Sequence, residues 1–284
     1  MPPPPQPPRS RDDFKVAVIC ALPLEAACIL ATFDQEWEDG YRKAPGDTNA
    51  YSFGNISGHN VVVVHMPEMG KASAAGAAAH VRSSFANLKY AFVVGICGGV
   101  PHRPGKPEEE IILGDVVIGQ ALAEYDFGRQ YPDAFEIRKT STLSREMGSI
   151  LARLRTPQKL EQMEHSIEAQ LHMLQEKLPH ITSPGRDADH LYEQSYLHKH
   201  QNNAAGASCL VCQGRPDKIC SNAHILECGL LGCKTSKLIP RQRLPANASL
   251  SASPTSYPRL HLGKIGSGDT VMKSGVHRDE IAEK

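Results

Sequence analysis

The chain has 284 residues, 40% hydrophobic and 22% charged, enough to bury a sizeable core in one large domain or two small ones. Its 31 lysines and arginines equal its 31 aspartates and glutamates, so no global field draws it to nucleic acid or to a membrane surface. No apolar run approaches the roughly 20 residues of a spanning helix, and the opening MPPPPQPPRSRDD lacks the apolar centre of a signal peptide. Residues 1–13 read as a disordered proline-rich tail. A cytoplasmic protein follows, whose eight cysteines are expected to be mostly reduced.

Lys15–Cys20 is a continuous β-branched run, expected of a strand covered on both faces. Pro23 stands where a helix would open, and Leu24, Ala27, Cys28 and Ala31 fall on one stripe. Asn60–His65 (NVVVVH) reads as a second buried strand. Lys71–Ala86 is an alanine-rich helix whose small residues allow close packing. Tyr90–Val94 is a third strand and runs into GICGG, residues 95–99. Asp115–Gly119 is a fourth. Strands and helices alternating at short spacing argue for an α/β fold around a largely parallel sheet. Ligands bind at the carboxyl ends of strands in such sheets, and three of those ends carry unusual residues: Ala21–Glu25, Gly95–Gly99 and Glu124–Arg129.

Residues 151–182 are charged and helix-forming, and 183–258 are polar and rich in Pro, Ser, Asn and His. Strand pattern and a glycine turn return in Leu260–Met272. The division expected is therefore a first core segment over 14–150, a helical and then irregular insertion over 151–258, and a resumption of the core over 259–284. Within the insertion, His198 and His200 precede Cys209-x2-Cys212, then Cys220, Cys228 and Cys233. Thiolates and imidazoles are the preferred ligands of tetrahedral zinc. His198, His200, Cys209 and Cys212 are the candidate ligands of a structural zinc, which would hold a polar segment of few apolar residues in shape. The alternative is a loose insertion with unpaired thiols.

The motifs ICALPLEAA, MGKASAA, VVGICGGVP, GDVVIGQALAEYDFGRQYP and GKIGSGDTVMKSG occur in that order. Together they resemble the nucleoside phosphorylase and nucleosidase superfamily, in particular a branch common in filamentous fungi. The resemblance covers roughly 14–150 and 259–280. It implies a three-layer α/β/α sandwich around a mostly parallel, twisted mixed sheet, and cleavage of a nucleoside N-glycosidic bond by phosphate or by water. The ligand it implies is a purine nucleoside or nucleotide, with no cofactor needed for catalysis; relatives are usually dimers or hexamers, so a homo-oligomer is implied.

Aligned by motif, Glu25 falls where the nucleosidases place their water-activating glutamate and the hexameric phosphorylases a phosphate-binding arginine. Val93 and Val94 stand where those phosphorylases bring another such arginine, and Ile96 replaces a small hydroxyl residue. The resemblance therefore favours hydrolysis, with phosphorolysis less favoured. The structural alternative for Glu25 is an acid stabilised by the helix dipole. Gly95, Gly98 and Gly99 let backbone approach a ligand, and the family places this turn against ribose and nucleophile; an unliganded tight turn explains them equally well. Cys97 reads as a packing residue within that turn, because no covalent step is needed. Arg129 lines the pocket facing an anionic group or forms a surface salt bridge. Val271 and Met272 stand where the family contacts the base, or are ordinary packing. The family's Met-Glu pair for the ribose hydroxyls and its purine-protonating aspartate have no match before Lys284. The resemblance thus implies a core lacking its last strand and helix, and a catalytically inactive ligand-binding or signalling module is the alternative to an enzyme.

Overall fold

The run Val16–Cys20 (β1) has no polar face to give to water, so both of its faces must be covered. In the computed structural model, which describes residues 6–38, 40–103, 105–137, 140–182, 185, 188–201, 209–215, 217–244 and 258–283, they are. Ala17 and Ile19 pack with Val62, Val64, Ala77, Val81 and Phe85 on one side. Val18 and Cys20 pack with Ala26, Phe33, Val61 and Val63 on the other. The elements that supply these residues follow in order: α1 (Pro23–Ala31), β2 (Gln35–Trp37), β3 (Ala50–Ile56), β4 (His59–His65), α2 (Lys71–Ser84) and β5 (Tyr90–Val93).

The sheet order is β2-β3-β4-β1-β5. β1 runs parallel to β4 and β5, and β3 is antiparallel to β2 and β4. With α1 and α2 on opposite faces, this is the three-layer mixed α/β arrangement the sequence led one to expect. The β2–β3 hairpin was not foreseen. Tyr90–Val94 departs from its expectation as a buried strand: Val93 is 82% exposed, because β5 is the sheet's edge and no described strand pairs with its outer side.

The chain divides into two compact units. The first comprises 1–98, 118–182 and 262–271, and the second 99–117, 183–261 and 272–284. After β6 (His102–Arg103) and β7 (Lys106–Glu110), β8 (Val116–Glu124) is half-buried and lies in a separate three-stranded sheet rather than beside β5. Then come β9 (Gly128–Gln130), β10 (Phe135–Ile137), β11 (Thr140–Thr142), α3 (Arg145–Leu154) and α4 (Pro157–Lys177). α4 opens the stretch read as an insertion, yet it belongs to the first unit, where Lys177 Nζ donates to the Ala31 carbonyl at 2.7 Å.

Among the described residues, the second unit has little apolar interior. Ile112, Cys212, Ala223, Leu231 and Leu260 are buried there, around short helices α5 (Leu210–Gly214) and α6 (Cys228–Leu231). Buried charge is prominent instead. Glu110 accepts from the Arg243 amide at 2.9 Å and faces Arg241 at 3.5 Å. Asp115 is paired with Arg243 and His261. β12 (Leu260–Ser267) completes the three-stranded sheet in the order β11-β8-β12, and α7 (Gly275–Ala282) follows, its N-cap Ser274 accepting from the His277 amide. Of the expected tail, 1–5 lie outside the described residues, and Arg11–Asp13 form a single helical turn capped by Ser10.

Candidate functional site

Cys20 ends β1, Ala21 and Leu22 turn, and Pro23 starts α1 with a backbone already set for a helix. Glu25 is then the third helical residue. Its Oε2 accepts the Ala21 and Leu22 amides at 3.0 and 2.8 Å. Those donors would otherwise lack helical partners, so this oxygen caps the start of α1. The other oxygen does something different. Oε1 accepts the Ile96 amide at 2.8 Å, across from β1 in the turn after β5. A Cβ at Gly95 would stand 2.4 Å from Oε1, so a side chain there would push the carboxylate from its place. An ionised carboxylate offers about four acceptor sites, two per oxygen. Both on Oε2 are taken, and one on Oε1 is left beside the glycine turn. The Cys20 thiol beneath is pushed up to about 11 by burial, with the Glu25 charge and Cys28 adding to the effect, so it stays protonated.

Ile96, 72% exposed, and Cys97 are open to solvent on this turn, and a side chain at Gly98 would meet open space. The structure thus brings Glu25, Gly95 and Ile96 together. Arg129 is exposed in β9, opposite Glu136 of β10, and among the described residues no hydrogen bond or ion pair links it to Glu25. Val271 is exposed and Met272 half-buried. Gly99 and Met272 fall in the second unit, where Gly99 Cα faces the Ile111 side chain.

A second constellation in the first unit escaped the sequence reading. Lys71, the first residue of α2, reaches Asp126 at 2.6 Å. Its amide donates to Asp269 at 2.7 Å, and the Asp269 amide donates to Asp126 at 2.8 Å. The Tyr125 hydroxyl donates to the Thr270 carbonyl, and a Cβ at Gly268 would strike the Tyr125 ring at 2.5 Å. The MGK, EYD and SGD motifs are therefore tied into one knot. The Lys71 hydrogen bond and the Asp269 amide hold Asp126 below the usual carboxylate range, and the same bond raises Lys71. The signal was present: a lysine at a helix start after β4 and acids just after β8 and β12.

The candidate zinc set is divided. A bend at Lys199 turns His198 and His200 apart. His200 gathers Cys209, Cys212 and Cys220, while His198 gathers Cys228 and Cys233, each group's ligand atoms lying within 4.8 Å of one another. Burial pushes the Cys212 thiol up, but hydrogen bonds involving Cys220 and His200 outweigh it and bring the thiol down to about 6. Either group could hold a metal ion.

A family model described as the phosphorylase superfamily matches residues 15–172, running past the boundary expected at 150. A nucleotide-binding leucine-rich repeat (NLR)-like protein of Hyaloscypha variabilis is 28% identical over 164 residues, covering 49% of this chain and 16% of that protein. Among solved structures, the MTA/SAH nucleosidase of Streptococcus pneumoniae in complex with 8-aminoadenine is 26% identical, covering 49% of this chain and 58% of that one, with a TM-score of 0.37. Futalosine hydrolase of Helicobacter pylori is 16% identical, covering 52% and 60%, with a TM-score of 0.38. The chain therefore spans 16% of the length of the curated relative it matches. No helix among the described residues is long and apolar enough to cross a membrane.

Proposed function

The chain belongs to the phosphorylase superfamily, and from that premise we propose that it cleaves the N-glycosidic bond of a purine nucleoside or nucleotide with water as nucleophile. The observation that carries this reading is the Glu25 carboxylate, fixed by three backbone amides with one acceptor site left on Oε1 beside the glycine turn. A water bound at that site is oriented by a base that cannot rotate away, and Glu25 accepts its proton as oxygen bonds to the anomeric carbon. The glycosidic electron pair leaves with the purine, which takes up a proton from solvent. The transition state is cationic at the sugar, as in glycoside hydrolysis, and a carboxylate beneath it stabilises that charge. No cofactor enters this chemistry.

Phosphorolysis is disfavoured by the same geometry. A carboxylate repels phosphate, and the Ile96 amide, the backbone donor nearest Oε1, already donates to Glu25. The valines at 93 and 94 offer no positive charge in its place.

The test is base release by the purified chain from adenosine, methylthioadenosine, adenosylhomocysteine and ATP, with and without phosphate, beside Glu25→Ala. Adenine release that ignores phosphate and is abolished in Glu25→Ala is expected. Release that requires phosphate overturns the choice of nucleophile, and a folded chain that binds but releases nothing favours the non-catalytic module.

A further inference from the structure

We propose that residues 198–233 hold two zinc ions, in nested sites, rather than one. The inner site is His200, Cys209, Cys212 and Cys220; the outer is His198, Cys228 and Cys233, whose ligands flank the inner set in the chain.

Distances within each group carry the argument. With metal–sulfur bonds of about 2.3 Å and metal–nitrogen bonds of 2.0–2.1 Å, a tetrahedral ion separates ligating sulfur from nitrogen by about 3.6 Å. His200 Nδ1 lies 3.7 Å from Cys212 Sγ and 3.5 Å from Cys220 Sγ. His198 Nδ1 lies 3.5 Å from Cys228 Sγ and 3.7 Å from Cys233 Sγ. Hydrogen bonding does not explain this convergence, because a neutral imidazole nitrogen has a single in-plane lone pair and each ring nitrogen here faces two sulfurs. One shared ion does explain it.

The surroundings suit the two ions. His198 Nε2 donates to the Leu226 carbonyl at 2.8 Å, which leaves Nδ1 with its lone pair toward the sulfurs, as is usual behind a metal-bound histidine. Three thiolates and one zinc leave the inner site with a net negative charge. Lys199 compensates it, its Nζ donating to the Cys212 carbonyl at 2.9 Å. Each cysteine loses its proton to solvent as its sulfur takes the ion, with no change of oxidation state. Four protein ligands close the inner site, whereas three leave a fourth position of the outer ion to water or another small donor. The inner ion is therefore structural and slow to exchange, and the outer ion the more exchangeable.

The experiment is metal analysis of the full chain by mass spectrometry, followed by competition with a chromogenic chelator. Two equivalents of zinc are expected, released in two phases. Cys212→Ser should abolish the slow phase, and Cys228→Ser the fast phase alone. Replacing zinc by cobalt in the unmutated chain gives a check that needs no variant: the visible bands of tetrahedral cobalt should appear in two successive steps on titration. One equivalent lost alike in His198→Ala and Cys212→Ser would show a single site with the sequence-derived ligands, and a folded chain without zinc would overturn the proposal entirely.

Discussion

Val61–Val64 of β4 are at most 2% exposed, enclosed between α1 and α2; among the described residues of 188–244 the buried hydrophobic side chains are Cys212, Ala223 and Leu231, with His200 buried as well. The first region holds its shape by removing hydrocarbon from water, a non-directional force that tolerates modest repacking. On the two-zinc proposal the second holds its shape by directed bonds from sulfur and imidazole, beside its buried ion pairs. If that proposal holds, one family core sits in the same chain as a segment stabilised by a different chemistry, and the two should fail under different insults.

Metal removal separates them most sharply. Structural zinc contributes on the order of 10–16 kcal/mol to zinc-finger peptides, more than any single side chain gives a core. A strong chelator should make 188–244 sensitive to limited proteolysis while 14–98 stays resistant and the far-ultraviolet signature of β1–β5 and α1–α2 survives. Simultaneous cleavage of both regions would mean that they do not depend on different forces.

The next effect is on chemistry within the apolar region. Glu25→Gln keeps the side chain's length but removes the base, so base release should fall by about 10²–10⁴-fold. Gly95→Ala should do the same by a different route, because its methyl would stand 2.4 Å from Oε1 and displace the carboxylate. Both variants should retain their full zinc content. An active Gly95→Ala would show that the Glu25–Ile96 bond does not position the base.

A core truncation is smaller again. Val63 is fully buried, and Val63→Ala should lower stability by roughly 2 kcal/mol through lost burial and the cavity left behind. Urea unfolding followed by tryptophan fluorescence reads this directly, because Trp37, the sole tryptophan, is buried in the same sheet. Zinc stoichiometry should not move.

The contrast between regions also decides what was legible in the sequence. β1, β4, α1 and α2 were readable to within a residue or two, because burial writes itself into apolar runs and helical stripes. Ala50–Ile56 was missed since AYSFGNI mixes polar and apolar residues, although Ser57-Gly58, both with positive φ, is a hairpin turn signal that could have revealed β3. Glu25 stood out by position and resemblance, but its one-sided cap of the Ala21 and Leu22 amides did not, because the residue before the helix is Leu22 and not a serine or threonine. The division of the histidines was not legible at all. Spacing shows which residues carry ligand atoms, whereas a bend at Lys199 decides which of them meet. The Lys71–Asp126–Asp269 knot was hidden for the same reason: its members are joined only when β4, β8 and β12 end close together.

Acid sharpens the comparison least, because its effect begins only below the ordinary aspartate range, yet its sign is fixed. Asp115 lies in the second unit, with Arg243 and His261 on its carboxylate and the Ile112 and Arg259 amides donating at 3.0 and 2.9 Å. Burial alone would raise its pKa, but the hydrogen bonds from His261, Arg243 and the two amides outweigh it and leave the group well below its usual value. A carboxyl depressed in the folded state binds its proton more readily when unfolded. Its contribution is therefore present in full above the unfolded value of about 3.9 and is lost as pH falls from there through the folded one. The second unit should thus lose stability on acidification in a way the valine-lined sheet does not. Urea titrations from pH 7 to pH 3, read by proteolysis in each region, should show a steeper acid slope for 99–117 and 217–244 than for 14–98. Asp115→Asn should flatten that slope while lowering stability at pH 7, since an amide cannot pair with the Arg243 guanidinium as a charge. An unchanged slope in Asp115→Asn would show that Asp115 does not set the acid sensitivity of this unit.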